Sequence, residues 1–127
     1  MKKVSFDFDD TLSTIEIQTL AKILVMQEYD VWIVTSRCSN LYAKNHHWND
    51  DLEMVADCVG IPTENIVYCN LKPKYKYFQE TEGFILHVDD DHDEILGINQ
   101  HTDVQGVYYV PTIDRRSIKR IKEILCI

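Results

Sequence analysis

The chain has 127 residues, 45% hydrophobic and 27% charged, with a formal net charge of −8 at pH 7. This is the composition of a soluble globular protein with one domain's worth of core. It argues against broad, sequence-independent nucleic-acid binding, which relies on Lys and Arg to neutralise phosphates. No apolar run approaches the ~20 residues of a membrane span.

The Met-Lys-Lys start leads into a strand that turns acidic rather than into an uncharged secretory core, so the expected setting is cytoplasmic and unprocessed. Alternation of Val4, Phe6 and Phe8 predicts a first strand over 4–8. Ile17, Leu20, Ala21, Leu24 and Val25 recur at helical spacing and predict an amphipathic helix over about 15–28. Val31 to Val34 is wholly apolar and reads as a buried strand. A polar, irregular stretch runs from Thr35 to Asn49. A helix follows from Asn49 or Asp50, with Asp50 and Glu53 at capping-box spacing, and ends at Gly60 and Pro62.

A third strand (66–69), a short helix (73–80), a fourth strand (84–88), a helix (93–100) and a fifth strand (107–110) come next. Ile118, Ile121 and Leu125 line a last helix whose other face carries Arg115, Arg116, Lys119, Arg120 and Lys122. Strands separated by helices imply a parallel sheet with right-handed crossovers, a three-layer α/β sandwich forming one domain over 1–127. Ligands of such sheets bind beyond the carboxyl ends of the strands. The four cysteines, Cys38, Cys58, Cys69 and Cys126, have no metal-ligand spacing and read as free thiols.

Chemistry gathers at those strand ends. Asp7, Asp9 and Asp10 close the first strand, with the hydroxyl of Thr11 beside them. Aligned carboxylates repel unless a cation lies between them, and oxygen-only ligands call for a hard ion such as Mg2+. The second strand ends in Thr35-Ser36-Arg37, whose hydroxyls and amides suit phosphoryl oxygens. Lys72 and Lys74 follow the third strand, either able to offset the charge of a nucleophile and a phosphate. Asp89 and Asp90 end the fourth, with Asp93 and Glu94 behind them.

Asp7-Phe8-Asp9-Asp10-Thr11 fits the D-x-D-x-T signature of the haloacid dehalogenase (HAD) superfamily, and the other three signals follow in that family's order up to about residue 94. The resemblance implies a Rossmann-like five-stranded sheet and an Mg2+-dependent phosphatase. Asp7 would be the nucleophile that forms an aspartyl-phosphate, and Asp9 the general acid–base. Thr35 would bind the phosphoryl group, and Lys72 is preferred over Lys74 as the neutralising cation. Asp7, the Asp9 carbonyl and Asp89 or Asp90 would hold the metal.

The gaps 12–30 and 37–65 leave no room for a cap domain, so the chain resembles the capless branch, whose members can also close their sites by oligomerising. An open site suits a protruding or polymeric substrate, such as a nucleic-acid end carrying a 3′-phosphate. Thr11, Ser36, Arg37 and Trp48 are the candidate substrate contacts: Arg37 for a phosphate, Trp48 for stacking on a base. A phosphatase of small metabolites or mononucleotides is the rival. A catalytically silent binding protein of the same shape is the alternative of another class. A phosphorylation-switched receiver is disfavoured, because Cys69-Asn70 stands where its acceptor Asp belongs.

Overall fold

The computed structural model describes residues 1–111 and 115–127. Five strands form one all-parallel open sheet in the order β3-β2-β1-β4-β5: β1 Lys3–Phe6, β2 Asp30–Thr35, β3 Ile66–Tyr68, β4 Phe84–Asp89 and β5 Gln105–Tyr108. Between them run α1 Ile15–Met26, the one-turn α2 Asn40–Ala43, α3 Asp50–Val59, α4 Lys74–Gln79 and α5 His92–His101, with α6 Arg116–Leu125 last. This is the Rossmann-like three-layer sandwich that the alternating pattern predicts.

Side chains alternate across each strand, so each strand feeds two cores. Val4, Phe6, Val31 and Ile33 pack with Ile17, Leu24, Leu52, Ile121 and Leu125 beneath α1, α3 and α6. Trp32 and Val34 face the other way, onto Phe78, Phe84 and Ile98 beneath α4 and α5. Burying a Leu or Phe stabilises by about 2 kcal/mol, and these two apolar layers hold the strand ends in register.

Helix boundaries follow local chemistry. The Thr14 hydroxyl accepts from the Ile17 amide to start α1. Gly60, at φ 97°, ends α3 in the left-handed conformation that glycine adopts without penalty. The expected Asp50 capping box does not form. Asn49 is the capping residue, and its side-chain amide donates instead to the Cys38 carbonyl and to Asn40 Oδ1, tying down the segment after β2. The stretch expected to be irregular also contains α2, capped by the Ser39 hydroxyl.

Two structural facts place the site. Strand order reverses between β1 and β4, since the chain builds β2 and β3 on one side of β1 and then crosses to the other. The carboxyl ends of β1 and β4 therefore flank the switch-point crevice. The segment between β1 and β2 holds only a turn and α1, and that between β2 and β3 only α2, α3 and a 3-10 turn at Thr63–Asn65. No described helix is long and apolar enough to cross a membrane.

Candidate active site

β1 ends at Phe6, two residues earlier than the alternation suggests. Phe8–Leu12 then forms a wide turn closed by Leu12 N–H to Asp7 O and Ser13 N–H to Phe8 O, with Asp10 at φ 57°. Asp7 itself stays extended, and its amide donates to the Val88 carbonyl at 2.8 Å. That bond places its carboxyl beside β4. Asp9 sits in the turn instead of on the strand, so its side chain does not follow that of Asp7.

A buried polar chain crosses the crevice. Lys74, 1% exposed at its side chain, donates from Nζ to Asp7 Oδ1 at 2.8 Å and to Asp89 Oδ2. Asp89 Oδ2 also contacts His87 Nε2 at 2.8 Å, and His87 Nδ1 lies 2.8 Å from the Ser5 hydroxyl. A carboxylate only accepts, so a neutral His87 carries its proton on Nε2 and its Nδ1 accepts from Ser5. Ser5, His87 and Asp89 are fully buried. The backbone amide of Lys74 donates to Glu94 Oε2 at 2.9 Å, so α5 holds the start of α4 and with it the lysine.

These contacts set the charges. Burial drives the Asp7 carboxyl towards its neutral form and the Asp89 charge adds to this. Against the pull of Lys74, its pKa is pushed up to about 8. Burial acts on Asp89 too, but the hydrogen bond and charge of His87, with Lys74, outweigh it and hold Asp89 down at about 2. Burial pulls the Lys74 ammonium towards neutrality, and its two carboxylate neighbours overcome this and raise its pKa. His87, wholly enclosed, is held below the ordinary imidazole value by burial, against the opposing pull of Asp89. Without a metal, Lys74 and Asp89 form the ionised pair and Asp7 retains a proton near neutral pH.

Asp7, Asp89 and Asp90 each bring a carboxylate oxygen within 4.8 Å of the others'. The donor set is all oxygen, which suits Mg2+. Both oxygens of Asp89 are already engaged, Oδ2 as above and Oδ1 by the Asp91 amide at 3.0 Å. Asp90 accepts at Oδ1 from the Thr11 hydroxyl at 3.3 Å and shares a hydrogen bond with the Asp7 carboxyl. A cation at this point would replace the proton that the two carboxyls share. A cation would therefore take Asp90 and the second oxygen of Asp7, with Asp89 holding Lys74 in place.

The preference for Lys72 needs correction, and the remaining candidates lie in different settings. Lys72 is exposed and Lys74 is the lysine in the crevice. Lys72 lies before α4, whereas Lys74 is its first residue, aimed back over the sheet. Thr11 is buried and orients Asp90; it does not line an open substrate site. Thr35 is buried, with its hydroxyl accepting from the Arg37 amide at 3.2 Å. The Asp9 carboxylate stands outside the acidic triad. It is gripped by Arg37, with Nη2 to Oδ1 at 2.7 Å and Nε to Oδ2 at 2.9 Å.

Arg37 makes a second fork with Asp51, at 2.8 and 2.9 Å, and lies 4.8 Å above the Phe8 ring. The Asp51 and Asp9 hydrogen bonds raise its pKa further, and the guanidinium in turn lowers that of Asp51. Arg37 is thus occupied where it was expected to meet a phosphate. Ser36 and Trp48 are both exposed and line one cleft of about 760 Å³ beside it. The missed residue is His87. A titratable side chain inside a strand buried on both faces requires a partner, and that was the available signal.

No protein-family model matches the chain. It is 29% identical over 108 residues to the small ribosomal subunit protein uS10c of Trieres chinensis, an alignment covering 84% of this chain and 90% of that protein. Its fold is similar to the crystal structure of an uncharacterized protein from Corynebacterium glutamicum, with a TM-score of 0.53, 15% identity, and coverage of 100% of this chain and 96% of the other.

Proposed function

We propose that this protein is a metal-dependent phosphomonoester hydrolase of the HAD type, with Asp7 as nucleophile. One observation carries the reading. Asp7, Lys74, Asp89 and Asp90 converge at the β1/β4 switch point, where Lys74 bridges two carboxylates and a third, Asp90, meets the Asp7 carboxyl. A buried site with more carboxylates than cations is costly unless it exists to receive positive charge.

In this reading an Asp7 oxygen attacks phosphorus, the ester P–O bond breaks, and a proton reaches the leaving oxygen from Asp9. Water then attacks the aspartyl-phosphate, giving its proton to Asp9 and regenerating Asp7 with release of phosphate. Bound Mg2+ would favour the ionised form of Asp7 and offset charge on the phosphoryl oxygens. Lys74 keeps Asp7 oriented and adds positive charge where two anions approach. To serve as acid, Asp9 must turn from Arg37 towards the substrate, so that ion pair opens in each cycle. Ser36, exposed at the end of β2, offers phosphate contacts, while the buried Thr35 hydroxyl holds the Arg37 amide beside it.

The likeness to a ribosomal protein supports no transfer of that role, because a net charge of −8 opposes close packing against RNA phosphates. The test is phosphate release from a panel of phosphomonoesters with Mg2+, repeated in EDTA. Metal-dependent release that Asp7→Asn abolishes is the expected result. No release from any ester with Mg2+ or Mn2+ would overturn the assignment in favour of a silent binding protein.

A further inference from the structure

The cleft beside the site has an unusual lining. Ser36 and Arg37 at its inner edge directly follow Thr35, and Arg37 grips Asp9, so the cleft opens from the acid–base side of the crevice. Trp48 and Leu71 form its apolar surface, 53% and 76% exposed. Leu71 is held there at a cost. It and Asn70 adopt φ of 68° and 52°, successive left-handed residues that are not glycine. The strain is imposed by Leu71 N–H to Ser36 O at 2.8 Å, Asn70 N–H to Arg37 O at 3.2 Å and Ser39 N–H to Asn70 Oδ1 at 2.9 Å. These bonds zip the loop after β3 to the loop after β2. Backbone strain that presents an exposed leucine beside a tryptophan is typical of a binding surface.

The charge of the cleft narrows what it binds. Its guanidinium donates to two carboxylates through Nε, Nη1 and Nη2 and offers no free fork to an anion. Its imidazole, His47, is paired with Asp50 at 2.9 Å. Carboxylates outnumber cations around the wall, with Asp9, Asp50 and Asp51 against Arg37. A second phosphate would meet repulsion there, while a planar uncharged ring would meet Trp48 and Leu71.

We infer that this cleft is the leaving-group subsite, and that it takes the ring of a monophosphorylated nucleoside or similar aromatic alcohol while rejecting esters that carry a further phosphate. The inference rests on the phosphatase reading and names its substrate class. It turns the choice away from a 3′-phosphorylated nucleic-acid end and towards a mononucleotide.

Kinetics with a nucleoside 5′-monophosphate, the matching 3′,5′-bisphosphate and glycerol 2-phosphate test it. The wild-type protein prefers the monophosphate to the bisphosphate by about tenfold or more in kcat/KM. Trp48→Ala lowers the ratio of nucleotide to glycerol phosphate turnover about tenfold, the scale of one lost base–aromatic stack. Asp51→Asn frees one edge of Arg37 and raises relative turnover of the bisphosphate severalfold. A bisphosphate preference in the wild type, or a Trp48→Ala ratio within twofold, overturns the subsite. If none of the three esters is hydrolysed, the wider panel decides the phosphatase reading separately, and titration with the nucleotide decides the cleft. Quenching of tryptophan fluorescence that Trp48→Phe removes keeps the binding site, and an absence of quenching overturns it.

Discussion

Replacing Asp7 with asparagine should stabilise the metal-free protein while destroying its chemistry. The unfolded chain releases the Asp7 proton near the ordinary 3.8, whereas the folded site holds it up to about 8. Between those values the native state binds more protons, so stability falls as pH rises. Two neighbours have different windows. Asp89, held at about 2, contributes stability that is lost only as pH falls below its ordinary value. His87, held below 6.5 by burial, makes stability fall as pH drops beneath 6.5. From pH 6.5 to 8 the Asp7 effect therefore stands alone among these three. At 1.36 kcal/mol per pH unit, that interval is worth at most about 2 kcal/mol, or roughly 6 °C in Tm for a chain of this size. Thermal melts in EDTA at both pH values should show the wild type losing several degrees and Asp7→Asn losing almost none. Mg2+ should raise the wild-type Tm more at pH 8 than at 6.5, because ionised Asp7 is the form that binds it. A flat wild-type profile in EDTA, or an equal decline in Asp7→Asn, would refute the buried-proton argument.

Other perturbations separate the roles of neighbouring residues. Lys74→Met strands the Asp89 charge in the interior and should cost about 3–5 kcal/mol, whereas Lys72→Met should change stability by less than about 0.5 kcal/mol; urea unfolding compares them. His87→Leu removes the donor to Asp89 and leaves the Ser5 hydroxyl only its 3.4 Å contact with the Leu86 carbonyl, a loss of about 2 kcal/mol by the same measurement. Asp90→Asn should weaken Mg2+ binding by about tenfold or more in calorimetric titration, with little loss of fold, since an asparagine there can still accept from the Thr11 hydroxyl and the Asp7 carboxyl. Equal metal affinity in that variant would move the assignment to Asp89.

Most of the architecture was legible because a parallel sheet writes itself as apolar runs. Val31 to Val34 and Phe84 to Val88 are apolar runs packed on both faces, and Gly60 ends α3 while Pro73 precedes α4. The elements that placed the acids were legible for the same reason, since a run that ends in Asp7 or Asp89 ends at the sheet's carboxyl edge. Details decided by contacts distant in sequence were not. Asp9 leaves the strand direction because the 8–12 turn is closed by its own hydrogen bonds and because Asp51, arriving on α3, completes a clamp around Arg37. The choice between Lys72 and Lys74 depends on where α4 begins, which Glu94 helps to fix from α5 through its bond to the Lys74 amide. His87 hid within an apolar strand, its partner Ser5 supplied by the register of β1 against β4 and Asp89 lying two residues on along the same face.

In the proposed mechanism phosphorus passes through a covalent bond to Asp7. Rapid acid quenching during turnover of a hydrolysed phosphomonoester with Mg2+, followed by peptide mass spectrometry, reads this directly. A phosphoryl adduct is expected on the peptide containing Asp7, absent in Asp7→Asn and in EDTA. Steady turnover with no adduct at Asp7, or with one at another residue, would contradict it.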